Sequence, residues 1–151
     1  MNKASITAVT LAAVLLLGLT AASKNAYAHS FSGDESADFL AIVEEMKAEL
    51  QLIKSNAATN STLAAEHVEH GLEHLTNDTL KEISERNERL GRELPASLNE
   101  LQESIESGNF TAADVDQRIS EIGDLLDETV QVRIDQAQMN NSTVQALVLA
   151  N

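Results

Sequence analysis

A chain of 151 residues with one proline, 43% hydrophobic residues and 3% aromatics has the make-up of one small all-α domain, because so few aromatic side chains exclude a β-sandwich or barrel core. The absence of cysteine excludes disulfides and thiolate metal ligands. A formal charge of −14 argues against nucleic acid and direct binding to an anionic membrane, and favours cations or a basic partner.

At the start of the chain, Lys3 supplies a short basic region, Ile6 to Ala22 is an apolar run, and Ala26-Tyr27-Ala28 is an A-x-A cleavage signature. Residues 1–28 read as a cleaved signal peptide, and 29–151 as the exported domain, destined for the extracellular space or the cell surface. Retention of the apolar run as a membrane anchor is the alternative. Cleavage removes Lys3 and Lys24 and no acid, leaving 8 basic residues against 24 acidic ones and a formal charge of −16. About 123 residues remain, enough to bury a modest core without disulfides.

Ser32-Gly33-Asp34-Glu35 fits a capping box, and Phe39, Ile42, Val43, Met46, Leu50 and Ile53 recur at helical spacing, predicting a first helix from Asp34 to Ser55. After the turn "NAATNST", a second helix covers Thr62 to Leu75 with Leu63, Val68, Leu72 and Leu75 available for packing. Thr79 and Glu82 form the next capping box. The helix it opens has Leu80, Ile83, Asn87, Leu90 and Leu94 inward, and Asn87 is a polar member that can fix register at the seam or, with the helix slightly rotated, face solvent. Pro95 breaks or kinks the pattern, which resumes with Leu98, Leu101 and Ile105 inward and stops at Gly108.

Thr111 and Asp114 open the last long helix, with Val115, Ile119, Ile122, Leu126, Val130 and Ile134 as its stripe and its end near Met139. Beyond the "NNST" turn, "VQALVLAN" is a further helical pattern without a terminating signal, which reads as a fragment of a longer chain. The short connections predict an antiparallel up-down bundle of about four helices with an extra C-terminal helical piece.

N-x-[ST] acceptors occur at Asn60, Asn77, Asn109, Asn140 and Asn141, each in a predicted loop. In an exported protein these are glycosylation candidates. Helix caps and turns favour the same residue types, so the alternative reading is purely structural.

The stretch "AAEHVEHGLEH" holds three of the chain's four histidines. On a helix, His67, His70 and His74 fall within about 60° of arc, while Glu66, Glu69 and Glu73 occupy the neighbouring arc. His67 and His74 are about 10.5 Å apart along the axis, too far to share one ion comfortably. The expected site therefore uses His70 with either neighbour and takes carboxylates from another helix, a water or a second protein to complete its shell. Against it stands the reading of an ordinary solvated acidic helix face.

"HGLEH", His70 to His74, matches the H-x-x-E-H signature of inverzincin peptidases, in which Glu73 would be the general base. A remote third ligand and a substrate cleft would also be needed. The H-x-x-E element, His70 with Glu73, is similar to that of imelysin-like helical proteins, which implies extracytoplasmic iron or copper handling. His29 adds another donor set: after cleavage its α-amine and imidazole could chelate copper, an arrangement resembling a histidine brace. Known braces are mostly built on β folds, and this chain reads as helical.

"HSFSGDESADFLAIVEEMK" and "EISERNERLGRELPASLNELQESIESGNFTA" resemble exported all-helical proteins of ammonia-oxidising archaea. That resemblance implies a copper-dependent, glycosylating, extracellular setting, or a place in a surface or membrane-associated complex. The expected function is capture, buffering or delivery of copper or zinc through His67, His70 and His74, with Glu73 and His29 as further donors. A non-catalytic structural or interaction protein is the alternative, and an H-x-x-E-H metallopeptidase the third reading.

Overall fold

The spacing of the apolar residues in the first helix decides how the rest of the chain assembles. In the computed structural model, which describes residues 33–149, α1 (Gly33–Asn56) buries Phe39, Val43, Met46, Leu50 and Ile53, and Ala57 continues the stripe just beyond it. Alternating steps of four and three residues keep such a stripe on one face of a helix. Each large side chain so buried contributes about 1.5–3 kcal/mol from removal of apolar surface from water.

The other elements are α2 (Ser61–Glu73), α3 (Asn77–Arg86), α4 (Glu88–Ser107), α5 (Ala112–Arg133) and the short α6 (Gln136–Met139) and α7 (Ser142–Val148). The described residues are thus all-α, as expected. None of these helices is long and apolar enough to cross a membrane. The residues expected to form a signal peptide, His29 and Ser32 of the first expected capping box lie outside the described residues.

α1 packs against α2, α5 and α7; α2 also packs on α4, α4 on α5, and α3 on both α4 and α5. Their inner faces share one core, to which α4 gives Leu90, Leu94, Leu98, Leu101 and Ile105, and α5 gives Val115, Ile119, Ile122, Leu126 and Val130. On one edge of α1, Lys47 pairs with Asp127 of α5 at 2.7 Å and Lys54 with Asp116 at 3.1 Å. The edge facing α2 carries Glu45 and Glu49 instead.

Several local expectations are corrected. The third helix is capped by Thr76 and not Thr79: the Thr79 N–H donates to Thr76 Oγ1 at 3.2 Å, and α3 begins at Asn77. Asn87 is not a seam residue inside a continuous helix. It adopts φ −152° and ψ 100°, closes α3, and accepts hydrogen bonds from the N–H groups of Arg89 and Leu90 to start α4. An asparagine oxygen competes well for such orphan donors at a first turn. α3 then folds back so closely on α4 that a Cβ on Gly91 would overlap Ser84 Oγ and lie 3.1 Å from Ser84 Cα.

Pro95 does not interrupt α4, which runs unbroken through it. A proline inside a helix costs about 3 kcal/mol, but Leu90, Leu94, Leu98 and Leu101 are all buried around it, and their combined burial exceeds that cost. Gly108 ends α4 in the left-handed region at φ 68°, as the sequence indicates.

α5 ends at Arg133, short of the expected Met139, because the next residue leaves the helical region: Ile134 is extended, at φ −112° and ψ 126°, and buried. The Arg133 guanidinium, also buried, donates from Nη2 to Glu82 Oε2 of α3 at 3.0 Å. Burial pushes the Arg133 guanidinium below its usual range despite the neighbouring Glu82 carboxylate. The chain then turns through α6, where Gln138 accepts a hydrogen bond from the buried Ser36 hydroxyl of α1.

Replacing Gly91 by alanine is expected to lower the melting temperature, although alanine favours a helix by about 1 kcal/mol, because Ser84 obstructs the added methyl through its backbone as well as its hydroxyl. A variant at least as stable as the parent in thermal denaturation would contradict this close packing.

At the start of α5, Thr111 and Asp114 form the expected capping box. The Thr111 hydroxyl and then its backbone N–H hold the Asp114 carboxyl below the usual carboxylate range. A lowered carboxyl contributes stability that is present above its unfolded pKa and lost as pH falls through the folded one. Asp114→Asn should accordingly flatten the acid limb of a stability–pH curve below about pH 4; an unchanged limb would count against the capping role.

Candidate metal centre

α2 begins where the side chain of Asn60 accepts a hydrogen bond from the Leu63 N–H at 3.1 Å, and its buried face is formed by Ala64, Val68 and Gly71, with Leu75 buried after its end. These residues again step by four, three and four. Once they point inward, the histidines are fixed on one flank and Glu66 and Glu69 on the other. Glu66 and Glu69 lie beside Gln102 and Glu106 of α4, whereas the histidine flank faces α1.

On α1, Glu45 and Glu49 precede the buried Met46 and Leu50 by one residue each and are one helical turn apart. His67 Nδ1 lies 2.7 Å from Glu49 Oε2, and His70 Nδ1 lies 3.8 Å from Glu49 Oε1. Further along, His74 Nδ1 lies 3.5 Å from Glu45 Oε2. The pairs run in opposite directions along the two helices, so each imidazole of the α2 stripe meets a carboxylate from α1.

Glu49, His67 and His70 each offer one ligand atom, and these atoms lie within 4.8 Å of one another. Two ligands about 2.0–2.1 Å from a tetrahedral ion stand about 3.3 Å apart. The donor atoms thus stand within about 1.5 Å of ligand spacing. Two imidazole nitrogens and a carboxylate oxygen suit zinc or copper(II). The rings of His67 and His70 meet edge to face, with centroids 6.0 Å apart and planes at 84°, so their nitrogens are not stacked in parallel.

Exposure is graded across the group. The side chains of His67 and Glu49 are only 15% and 21% exposed, while His70 is 56% exposed. His74 and Glu45 stand at 29% and 54%. The inner pair is packed and oriented, and the His70 side is open to solvent.

Among the residues singled out from sequence, the structure joins His67 and His70 in one cluster and sets His74 one turn away. Glu73 is exposed and belongs to no such cluster among the described residues, and His29 lies outside them. Glu49 is absent from the sequence-level set. Its signal was present in the step from Glu45 to Glu49 beside the apolar stripe, but nothing in the sequence says that α2, and not α5, lies on that edge. A separate groove of about 600 Å³ between α1 and α5 contains Lys47 and Lys54, already paired with aspartates, and no histidine.

All five N-x-[ST] asparagines are exposed. Asn77 is the first residue of α3 and not part of a loop. Asn60 and Asn141 cap α2 and α7 through their side chains, and Asn140 Nδ2 donates to the Gln136 carbonyl at 2.9 Å.

No protein-family model matches the chain, and no curated protein or solved structure matches it.

The half-buried contact between Glu49 and His67 should be measurable as a coupling. A double-mutant cycle with Glu49→Ala and His67→Ala, read by chemical denaturation near neutral pH, is expected to give about 1 kcal/mol. Additive single-variant effects would show that the two side chains do not hold each other.

Proposed function

We propose that this protein is an exported helical-bundle protein that captures, buffers or delivers a transition metal, copper or zinc, and performs no turnover. The observation that carries the reading is the convergence of His67 and His70 of α2 with Glu49 of α1, their donor atoms within 4.8 Å. Charge supports it: a chain at −14 raises the local concentration of cations near its surface. The A-x-A signature at Ala26 to Ala28 supports export, and on that reading His29 becomes the new amino terminus and a further copper donor. The exposed asparagines at 60, 77, 109, 140 and 141 are then open to glycosylation.

We read the architecture as an up-down bundle of α1, α2, α4 and α5, with α3 and the α6–α7 segment appended. The contacts of α1 with α2, α2 with α4, α4 with α5 and α5 with α1 support a closed ring of four.

A structural reading rests on the 2.7 Å contact between His67 and Glu49, which ties α1 to α2 without any ion. In that case the protein is a surface or complex-associated module, and its histidines serve packing alone.

Titration of the mature chain, with an authentic His29 terminus, by zinc and by copper separates the two. The expected result is one tight ion for each metal, weakened at least about tenfold in a His67/His70/His74→Ala triple variant. A further loss of copper when a residue is added before His29 would bring in the amino terminus. Binding no tighter than that of the triple variant would leave the structural module.

A further inference from the structure

The edge shared by α1 and α2 carries two donor pairs. Glu49 with His67 is one, at 2.7 Å, and Glu45 with His74 is the other, at 3.5 Å. The carboxylates are four residues apart on α1, and the imidazoles seven apart on α2. His70 stands between the imidazoles, three residues from one and four from the other, and both spacings place side chains on the same helix face. It is the most exposed of the three, and at 3.8 Å from Glu49 it makes no hydrogen bond that would hold its ring. A half-exposed histidine on a helix changes rotamer on a fast timescale.

We propose that His70 is a shared ligand serving two overlapping metal positions: an inner one with Glu49 and His67, the one group of donors among the described residues that already lies within 4.8 Å, and an outer one with Glu45 and His74 that forms when the His70 ring turns toward them. This rests on the metal-binding reading above and extends it from a single site to a two-step seam. The positions differ in the way a transfer route needs. Glu49 and His67 are both mostly covered, whereas Glu45 is more than half exposed, so the inner position is the better organised and the outer one the more accessible to an incoming ligand. Because both require His70, filling one weakens the other. An ion passes along the edge by exchanging one imidazole–carboxylate pair for the next while His70 stays bound, and no step leaves it without a protein ligand.

Zinc titration of the full mature chain, followed by calorimetry and by the histidine ring signals in ¹H–¹⁵N NMR, tests this. In the parent, the first equivalent is expected to shift the rings of His67 and His70, and excess zinc to shift His74 with an affinity about tenfold or more lower. His67→Gln, which can still hydrogen-bond to Glu49, should retain only the weaker binding, now reported by His70 and His74. Adding His74→Ala or Glu45→Gln should abolish that remainder. His70→Ala alone should weaken both phases, with helicity by circular dichroism unchanged.

If residual binding in His67→Gln is indifferent to His74→Ala and Glu45→Gln, the shared-ligand proposal is overturned while the inner site stands. A parent chain that binds no zinc, or binds it equally well after His67→Gln, overturns the metal reading at this seam as well.

Discussion

The apolar seam of α1 is the constraint from which the rest follows. Phe39, Val43, Met46, Leu50 and Ile53 must all point into the core, and this fixes the rotation of the helix about its axis. With that angle set, Glu45 and Glu49 fall on one edge and Lys47 and Lys54 on the other. A slip of one residue would turn the helix by about 100° and bring charged side chains inward, at a cost of several kcal/mol for each unpaired group. The placement of the chemistry at the two edges is therefore a consequence of core packing.

Both edges of α1 bring nitrogen side chains against carboxylates, yet they are not chemically equivalent. Lys47 meets Asp127, and Lys54 meets Asp116, as ammonium groups with three donors and no lone pair. They can make ion pairs and nothing else near neutral pH. On the opposite edge the nitrogens are imidazoles, which keep a lone pair when neutral and can exchange a hydrogen bond to Glu49 for a coordinate bond. On the outer flank of α2, Glu66 and Glu69 face Gln102 and Glu106, where oxygen donors meet no imidazole. Of the three neighbouring edges, the one between α1 and α2 is thus the one with the donor set for a transition metal.

How much of this was legible depended on the range of the interaction involved. The all-α class, the stripes of α1, α4 and α5, the capping box of Thr111 with Asp114, and the stop at Gly108 are local patterns, and the sequence displays them directly. The break at Asn87 was misread because Leu80, Ile83, Leu90 and Leu94 continue one helical period across it. Only the fold-back of α3 on α4, which needs Gly91 beside Ser84, makes that continuity an accident of spacing. Pro95 does not make the break that was one of its two readings, since a local breaker yields to the burial of leucines on both sides. The end of α5 falls where the buried Ile134 turns extended, beside the pairing of Arg133 with the distant Glu82. Glu49 was missed because a carboxylate next to an apolar stripe is ordinary in so acidic a chain until its neighbouring helix is known.

The position of the candidate centre also bears on what a metal there would do. Structural zinc sites in small domains supply the folding energy that a thin core lacks, and such domains unfold without the ion. Here the core under the seam is complete: Val43, Met46, Leu50, Ile53, Ala64 and Val68 are buried by packing alone, and Glu49 and His67 satisfy each other by a hydrogen bond. An ion at Glu49, His67 and His70 would replace that hydrogen bond and leave those packed side chains where they are. A site built on a core that packs without it, with one ligand open to solvent, can fill and empty as the surrounding metal concentration changes, each occupancy adding only its binding free energy to the stability. That is the physical requirement for capture and release, and it is the opposite of what a structural metal demands.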